Sequence, residues 1–533
     1  MSTPDLLRDL RLFSASPRAI GRALRTTTTL EDCGAKIRRQ LEQRDEAFVR
    51  TIEQGIYAHA ASPYRKLLDH AGIELGDAVA AVRADGADAA ASAFRDAGVY
   101  VTAHEFAGRQ PIVRQGLELA VSAGDFDNPQ LKRGFELQTG GSGGQPRPIL
   151  VDFRLPAYDG MHVALFRESA GNRGWPSAMW LPVPPGVAGL RSAVSEAAVA
   201  DPFDRWFSQS PLLPPGGSLR AAALAASATA VAAARRNRIP FPRYVPPEDA
   251  AKAARWLARA IAKTRTGYFF SFPSSAVRVC SAARERGYDI SGAHFRVGSE
   301  PLTPTKQAEI HAVGARVFAS YYTAETALVG MACARPEAID DVHLAVDKLV
   351  VLQRQKQLES GESVGALVLS NLLPSSPKIL LNVEIGDHGT IVERDCGCAL
   401  GELGLTRHLH SIRSYEKLTS EGMNVLGETL IALVEEVLPS RFGGSSTDYQ
   451  VVEIEEASVT RVKIIVAPGV GALEEHDVVE TTLSFVRGHS RPEAMMADFW
   501  REAGTIGVVR REPFRTPVGK VFARYALRDG DSL

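Results

Sequence analysis

Residues 297–326 read VGSEPLTPTKQAEIHAVGARVFASYYTAET. A Gly-Ser-Glu-Pro turn opens a helix, ARVFASYY (315–322) follows as a short buried strand, and a Tyr-Tyr-Thr-Ala-Glu turn closes the unit. A carboxylate at the C-terminal end of a strand stands where an open α/β sheet places its ligand. Working outward, TGYFFSFPS (266–274) and SVGALVLSNLL (363–373) read as further short buried strands between helices. The Ala-rich LRAAALAASATAVAAARR (219–236) reads as a helix that stops at the Pro-punctuated IPFPRYVPP. Strand and helix alternate over about 300 residues, which predicts the α/β class: a large domain of sheets flanked by helices.

The two ends have other textures. Residues 1 to about 110 read as mostly helical, with amphipathic stretches such as KIRRQLEQRDEAFVRTIEQGIY. The run ADGADAAASAFRDAG (84–98) could pass for a linker, but alanine is the best helix former and a surface helix is the expectation. Beyond residue 412 an amphipathic helix, GETLIALVEEVLPS, precedes two alternating strands, DYQVVEIEE and VTRVKIIVAP. A further helix, the strand GTIGVVRRE and the polar tail PFRTPVGKVFARY complete a compact α+β unit. The expected division is a large domain over 1–412 and a small, mobile α+β domain over 413–533.

That division agrees with size, because 533 residues and 57.4 kDa exceed the ~250–300 residues one core can serve. Lys and Arg total 61 against 62 Asp and Glu, a net charge of −1. Such a chain has no global field to hold nucleic acid or an anionic membrane, so a small-molecule partner is expected. No run reaches the ~18 consecutive apolar residues of a membrane span, and the first residues carry no secretory core. The five cysteines, Cys33, Cys280, Cys333, Cys396 and Cys398, are odd in number and irregularly spaced, which argues against a disulfide framework and for a reducing, cytoplasmic setting.

Four motifs carry chemistry. In LQTGGSGGQPRPI (137–149), four glycines with Thr139 and Ser142 can turn sharply and aim N–H groups and hydroxyls at an anion, although a plain flexible loop has the same composition. It lacks the Gly-Lys-Ser/Thr ending of a Walker loop. In the 297–326 run, Glu325 could hold Mg²⁺ through oxygen, or be a solvated loop acid. In NVEIGDHGTI (382–391), Asp387 sits in a Gly-flanked turn and can accept from two adjacent hydroxyls such as those of ribose; most such turns are only turns. In RTPVGKVFAR (515–524), Lys520 follows a glycine in a tail that could carry its cation to a phosphate or carboxylate, though a lone Lys is usually solvated surface.

The order of these motifs over residues 110–533 resembles the acyl-adenylate-forming superfamily, most closely its phenylacetate–coenzyme A ligase-like group. There the corresponding runs look like SSGTTGKPT, GAEPW, YGxSE, TGD and a tail Gly-Lys. HSIRSYEKLTSEGMNV (410–425) is similar to that group's inter-domain hinge. The resemblance implies ATP-dependent activation of a carboxylic acid as acyl-adenylate, then transfer to a thiol, with the small domain rotating between steps. It places Thr139, Gly140, Gly141, Ser142, Gly143 and Gly144 on the phosphates. Gly298, Ser299, Glu300 and Pro301, with Tyr321 and Tyr322, would frame adenine. Asp387, helped by Arg413, would take the ribose, Glu325 would hold Mg²⁺, and Lys520 would join the carboxylate to the phosphate.

The departures are specific. Gln145 stands at the family's loop Lys, with Arg147 two residues on; Ala324 replaces a hydroxyl residue; Tyr415, beside Glu416, stands at the hinge acid. In FPSS (272–275) Ser275 occupies an aromatic place, which argues against a phenylacetate pocket. Some relatives hold a structural zinc where this chain has Cys333, His343, Cys396 and Cys398, a Cys₃His set suited to tetrahedral Zn²⁺. Buried free cysteines would read the same way, and Cys396 and Cys398 in DCGC are closer than in a common zinc knuckle. The expected activity is an acid–coenzyme A ligase. The alternatives are transfer to a carrier protein's phosphopantetheine or to an amine, and a non-catalytic nucleotide-binding relative. The sequence leaves a homodimer open.

Overall fold

The computed structural model describes residues 18–24, 28–131, 135–138, 148–184, 186–213, 219–357, 363–414, 427–456, 459–489, 491–516 and 519–527. Thr139, Gly140, Gly141, Ser142, Gly143 and Gly144 of the glycine run, with Gln145 and Arg147, lie outside the described residues, as do Tyr415 and Glu416.

The protein is mixed α/β. Its large sheet has 12 strands among the described residues. From edge to edge they are Leu349–Gln357, Ser363–Asn371, Val383–Glu393, Arg407–Ser414, Val342–Leu344, Ala327–Ala332, Arg316–Thr323, Ala293–Gly298, Gly267–Ser271, Ser177–Trp180, Arg205–Ser208 and Arg243–Tyr244. Neighbouring strands from Arg316–Thr323 to Arg243–Tyr244 pair parallel. Strands packed on both faces must be apolar on both, and the period of two sorts them. Met179, Trp206, Tyr268 and Phe270 pack on one side beneath the helices Val187–Ala198 and Leu219–Ala234. Ala178, Trp180, Phe207 and Phe269 pack on the other beneath Ala250–Thr264 and Pro273–Arg286.

The alternation of strand and helix ends at Thr323. From there to Ser414 the neighbouring strands pair antiparallel, and SVGALVLSNLL lies within them, between Leu349–Gln357 and Val383–Glu393. The difference from expectation has a simple cause. Parallel strands need crossovers of about a dozen residues, whereas antiparallel strands close through short turns, and apolar strand runs look alike in both settings. The leading helices, including Leu30–Glu42, Pro63–His70 and Ala87–Asp96, pack on this antiparallel half in one core. Gly86, at φ 84°, splits the 84–98 stretch between two helices. The second lies at the surface with one face turned inward: Ala87, Ala90, Ala91 and Phe94 are buried, while Ala89, Ala93 and Asp96 are exposed.

The described residues between 427 and 527 build a separate sheet, four-stranded among them, ordered Ile506–Arg510, Val459–Val466, Tyr449–Glu456, Arg524–Ala526. Glu475–Arg487 and Arg491–Ala503 cover one face. Arg524–Ala526 runs parallel to Tyr449–Glu456, which anchors the tail just beyond Lys520. The buried Gln450 ties the tail a second time, donating to the Phe514 and Phe522 carbonyls at 3.1 and 2.8 Å and accepting from the Phe514 N–H at 2.7 Å. Between those anchors Gly519 N–H donates to the Thr516 carbonyl at 2.7 Å and Lys520 N–H to its Oγ1 at 3.1 Å.

Polar bonds join the two sheets' surroundings. Lys306 Nζ donates to Glu435 at 2.7 Å, Ser446 N–H to Glu309 at 2.9 Å, and Arg278 to the Thr447 carbonyl at 3.2 Å. Among the described residues no helix is long and apolar enough to cross a membrane.

Candidate functional site

Three of the sequence motifs meet in one cavity of about 160 Å³ between the two sheets. Its wall includes Gly298, Ser299, Glu300 and Pro301, then Tyr321 and Tyr322, then Asp387 and Arg413. Strand geometry explains the meeting. Ala293–Gly298 and Arg316–Thr323 are parallel neighbours, so the residues at their C-terminal ends open on the same side. Ser320 pairs with Gly298, where a Cβ would come within 2.7 Å of the Ser320 carbonyl, so the close approach requires glycine. Ser299 then takes a left-handed φ of 66°.

Asp387 accepts from the Tyr321 hydroxyl at 2.6 Å. Tyr322 Oη accepts from the buried Arg296 at 3.0 Å, and Arg296 also pairs with the buried Glu196 at 2.9 Å. Burial pushes the Tyr322 hydroxyl above its ordinary pKa. Arg413 donates to Asp340 at 3.2 Å, and Asp340 also accepts from the Ser411 and Ile412 N–H groups at 2.8 Å each. The Glu300 carboxylate accepts from Ser274 N–H and Oγ, both at 3.1 Å, at the start of the helix Pro273–Arg286. Burial pushes its carboxyl above the ordinary range, and Lys306 opposes that shift.

The opposite wall comes from the helical segment carrying Ile431 and Glu435 and from Val521–Arg524, the tail leading into the small sheet. Lys520 Nζ donates to the Ser299 carbonyl at 2.9 Å and lies 5.4 Å from the Phe272 ring centre. Gly519 makes that reach possible: its φ is 85°, and a Cβ there would come within 2.0 Å of Gln209. A cation from residue 520 thus arrives at a turn some 220 positions earlier in the chain.

Glu325 is half-buried on the turn beyond Tyr322, outside that cavity's wall. As a hard oxygen donor it suits Mg²⁺, which commonly takes one or two protein carboxylates and completes its shell with water and phosphate oxygens. Behind the turn lies Arg191, whose guanidinium burial pulls below its ordinary pKa while Asp159 and then Glu325 oppose that shift.

Cys333, His343, Cys396 and Cys398 converge elsewhere, all buried, with their ligand atoms within 4.8 Å of one another. His343 Nε2 lies 3.5 Å from the Cys396 sulfur and 3.1 Å from the Cys398 sulfur. Bonds of 2.0–2.3 Å around tetrahedral zinc imply N···S edges of roughly 3.6 Å, so the set fits that ion with little adjustment. His343 Nδ1 lies 2.6 Å from the Leu405 carbonyl, which can only accept, so Nδ1 carries the proton and Nε2 is left as a ligand. A hydrogen bond from Cys333, followed by His343, holds the Cys398 thiol far below its ordinary range. Cys33 and Cys280 are buried apart from this cluster, as core residues.

Reasoning from sequence missed Asp340, Arg524, Glu435 and Gln209. Asp340 comes from a loop 47 residues before Asp387 with no glycine turn to mark it, and Glu435 reads as the polar face of an amphipathic helix. Phe272 stood in a noted motif, where only the neighbouring Ser275 attracted attention.

No family model matches the chain, and no curated protein does. Similar solved structures include 2-hydroxyisobutyryl-CoA ligase in complex with 2-HIB-AMP and CoA, at 15% identity over 91% of this chain and 90% of that one, with a TM-score of 0.44. ATP-bound MatB from Rhodopseudomonas palustris is 15% identical over 73% of this chain and 66% of its own, TM-score 0.42. Anthranilate CoA ligase AuaEII with anthranoyl-AMP is 12% identical over 78% and 69%, TM-score 0.38. Likeness at this level assigns no activity and no residue role.

Proposed function

We propose that the chain is an AMP-forming acid–thiol ligase, with residues 1–412 as adenylation domain and 413–533 as a lid. The observation that carries this reading is the bond from Lys520 to the Ser299 carbonyl, across a cavity that also holds Asp387, Tyr321 and Arg413. A tail lysine delivered to the floor of a cleft has no structural necessity; a cation joining two anions does. In the first step a carboxylate oxygen attacks the α-phosphorus of ATP, the bond to the β-phosphate oxygen breaks, and pyrophosphate leaves. In the second a thiolate attacks the acyl carbon, the C–O bond breaks, and AMP leaves. Coenzyme A is the proposed thiol, with a carrier protein's phosphopantetheine or an amine as the alternative acceptors.

Lys520 holds the attacking carboxylate and the α-phosphate together, lowering the repulsion that otherwise opposes their approach. Tyr321 fixes the Asp387 carboxylate for the ribose hydroxyls, and Gly298–Pro301 with Tyr322 receives the base. Thr139, Gly140, Gly141, Ser142, Gly143 and Gly144 receive the phosphates. Glu325 would hold Mg²⁺, whose charge offsets that developing on the phosphates. Cys333, His343, Cys396 and Cys398 would hold zinc with all four positions filled, a structural site.

The test is exchange of labelled pyrophosphate into ATP, screened over aryl, fatty, hydroxy and amino acids. At least one acid is expected to drive exchange, and a second assay with coenzyme A or phosphopantetheinylated carrier then identifies the acceptor. Silence across the whole panel would count against adenylation itself.

A further inference from the structure

The turn Thr323–Thr326 is held from behind by a set of buried charges that no motif announced. Arg191, from the helix Val187–Ala198, donates to the Thr323 carbonyl at 3.3 Å and the Ala324 carbonyl at 3.1 Å. Lys348 donates to the Thr326 carbonyl at 3.0 Å. Asp159, from the helix Arg154–Ser169, joins the set: it pairs with Lys348 at 2.5 Å and accepts the Leu328 N–H at 3.2 Å. Within the turn, Thr323 Oγ1 accepts the Thr326 N–H at 3.2 Å and lies 2.9 Å from its hydroxyl. The chain leaves through Ala327 at φ 61°, a conformation most alanines avoid. Arg191 is 6% exposed, Asp159 2% and Lys348 1%.

A three-residue link between antiparallel strands needs no cations to form, because ladder bonds and a turn suffice. Burying a lysine and an arginine against carbonyl oxygens is costly. Here the three carbonyls around Glu325 (two before it, one after) are each gripped by a buried cation, while Glu325 itself is only half-buried.

We propose that Arg191, Lys348 and Asp159 are positioning residues that fix the Glu325 carboxylate for the divalent cation accompanying the nucleotide. The inference rests on the adenylation reading and deepens it. The clamp holds the backbone on either side of Glu325, so the carboxylate is oriented before metal arrives. Without the clamp the metal must order the turn as it binds, and its apparent affinity falls accordingly.

The experiment uses the full chain with Mn²⁺ as spin probe and a non-hydrolysable ATP analogue, following free Mn²⁺ by electron paramagnetic resonance. For Arg191→Met the half-saturating Mn²⁺ concentration is expected to rise about tenfold or more. Arg191→Lys keeps charge and packing but can grip one carbonyl where the guanidinium grips two, so a smaller rise is expected. That variant serves if the methionine chain does not fold. Asp347→Asn is the control: Asp347 bonds Tyr158 and His162 in the same interior and, among the described residues, makes no hydrogen bond to the turn. It is expected to lower the thermal midpoint and leave Mn²⁺ binding unchanged.

Wild-type Mn²⁺ binding in both Arg191 variants overturns the clamp alone. An equal weakening by Asp347→Asn also overturns it, by showing that general loosening is enough. A wild-type chain that binds no Mn²⁺ with nucleotide overturns the clamp and the adenylation reading together.

Discussion

The cysteine–histidine cluster and the Ser299 cavity are both polar, and they are built in opposite ways. The cluster draws Cys333, His343, Cys396 and Cys398 from strands and turns of one sheet, and its ligand atoms lie within 4.8 Å of one another, close to the spacing a tetrahedral ion requires. The cavity draws its two walls from elements around two separate sheets and is closed by bonds that cross between them, such as Lys520 to Ser299 and Lys306 to Glu435. A set enclosed in one core can keep its occupant for the life of the fold. A cavity closed by crossing polar bonds can open without unfolding either half, because each such bond has water as a ready substitute. The contrast matches the structural role proposed for the cluster and the catalytic one proposed for the cavity, and it can be broken experimentally.

The largest expected effect belongs to Lys520→Ala. Removing one charge-stabilising donor typically costs about 10²–10³-fold in rate, and pyrophosphate exchange should fall by that much. Thioester formation from a supplied acyl-adenylate should change by less than about threefold, because the lysine's partners have by then already joined. The thermal midpoint and metal content should stay at wild-type values. Equal loss in both half-reactions would show that residue 520 merely supports the lid.

Much of this architecture is legible in the sequence, for a physical reason. Gly298, Gly386 and Gly519 sit where backbone geometry restricts the residue, and such positions leave local signatures: a Gly before a turn, a Gly-Asp pair, a Gly-Lys in a tail. Apolar runs such as GYFFS announce buried strands. Asp340, Arg191, Lys348 and Asp159 sit in ordinary helix and turn contexts, and only the tertiary fold brings them to the site. The antiparallel half escaped for a related reason: strand runs carry their burial in composition but not their direction of pairing.

The next effect in size concerns the cluster. The purified chain is expected to carry about one zinc, and Cys398→Ser under half an equivalent, with a lowered thermal midpoint, since a structural zinc contributes directly to folding. Serine leaves one sulfur fewer and no thiolate at the position nearest His343 Nε2. Set beside Lys520→Ala, the two variants should give a crossed pattern, one moving stability and metal, the other only the first half-reaction. A wild-type chain prepared without chelator and holding no zinc would make the cluster a buried thiol core instead.

The smallest expected effect lies at the seam between the two walls. Glu309 accepts the Ser446 N–H across that seam, and burial first of all pushes its carboxyl above the ordinary value, against the bonds from Ser446. A carboxyl raised on folding binds its proton more tightly folded than unfolded, so stability falls as pH rises through the unfolded value of about 4.3 and levels off above the folded one. Glu309→Gln keeps a carbonyl for Ser446 N–H and removes the titration. Its thermal midpoint should therefore exceed wild type at pH 7, and the difference should shrink toward zero below pH ~4, where both carboxyls are neutral. Cys398→Ser should show no such convergence, because its loss does not depend on seating the second wall. If Glu309→Gln lies below wild type at pH 7, the ionised carboxylate strengthens the seam, and the two walls are bound more firmly than the cleft requires.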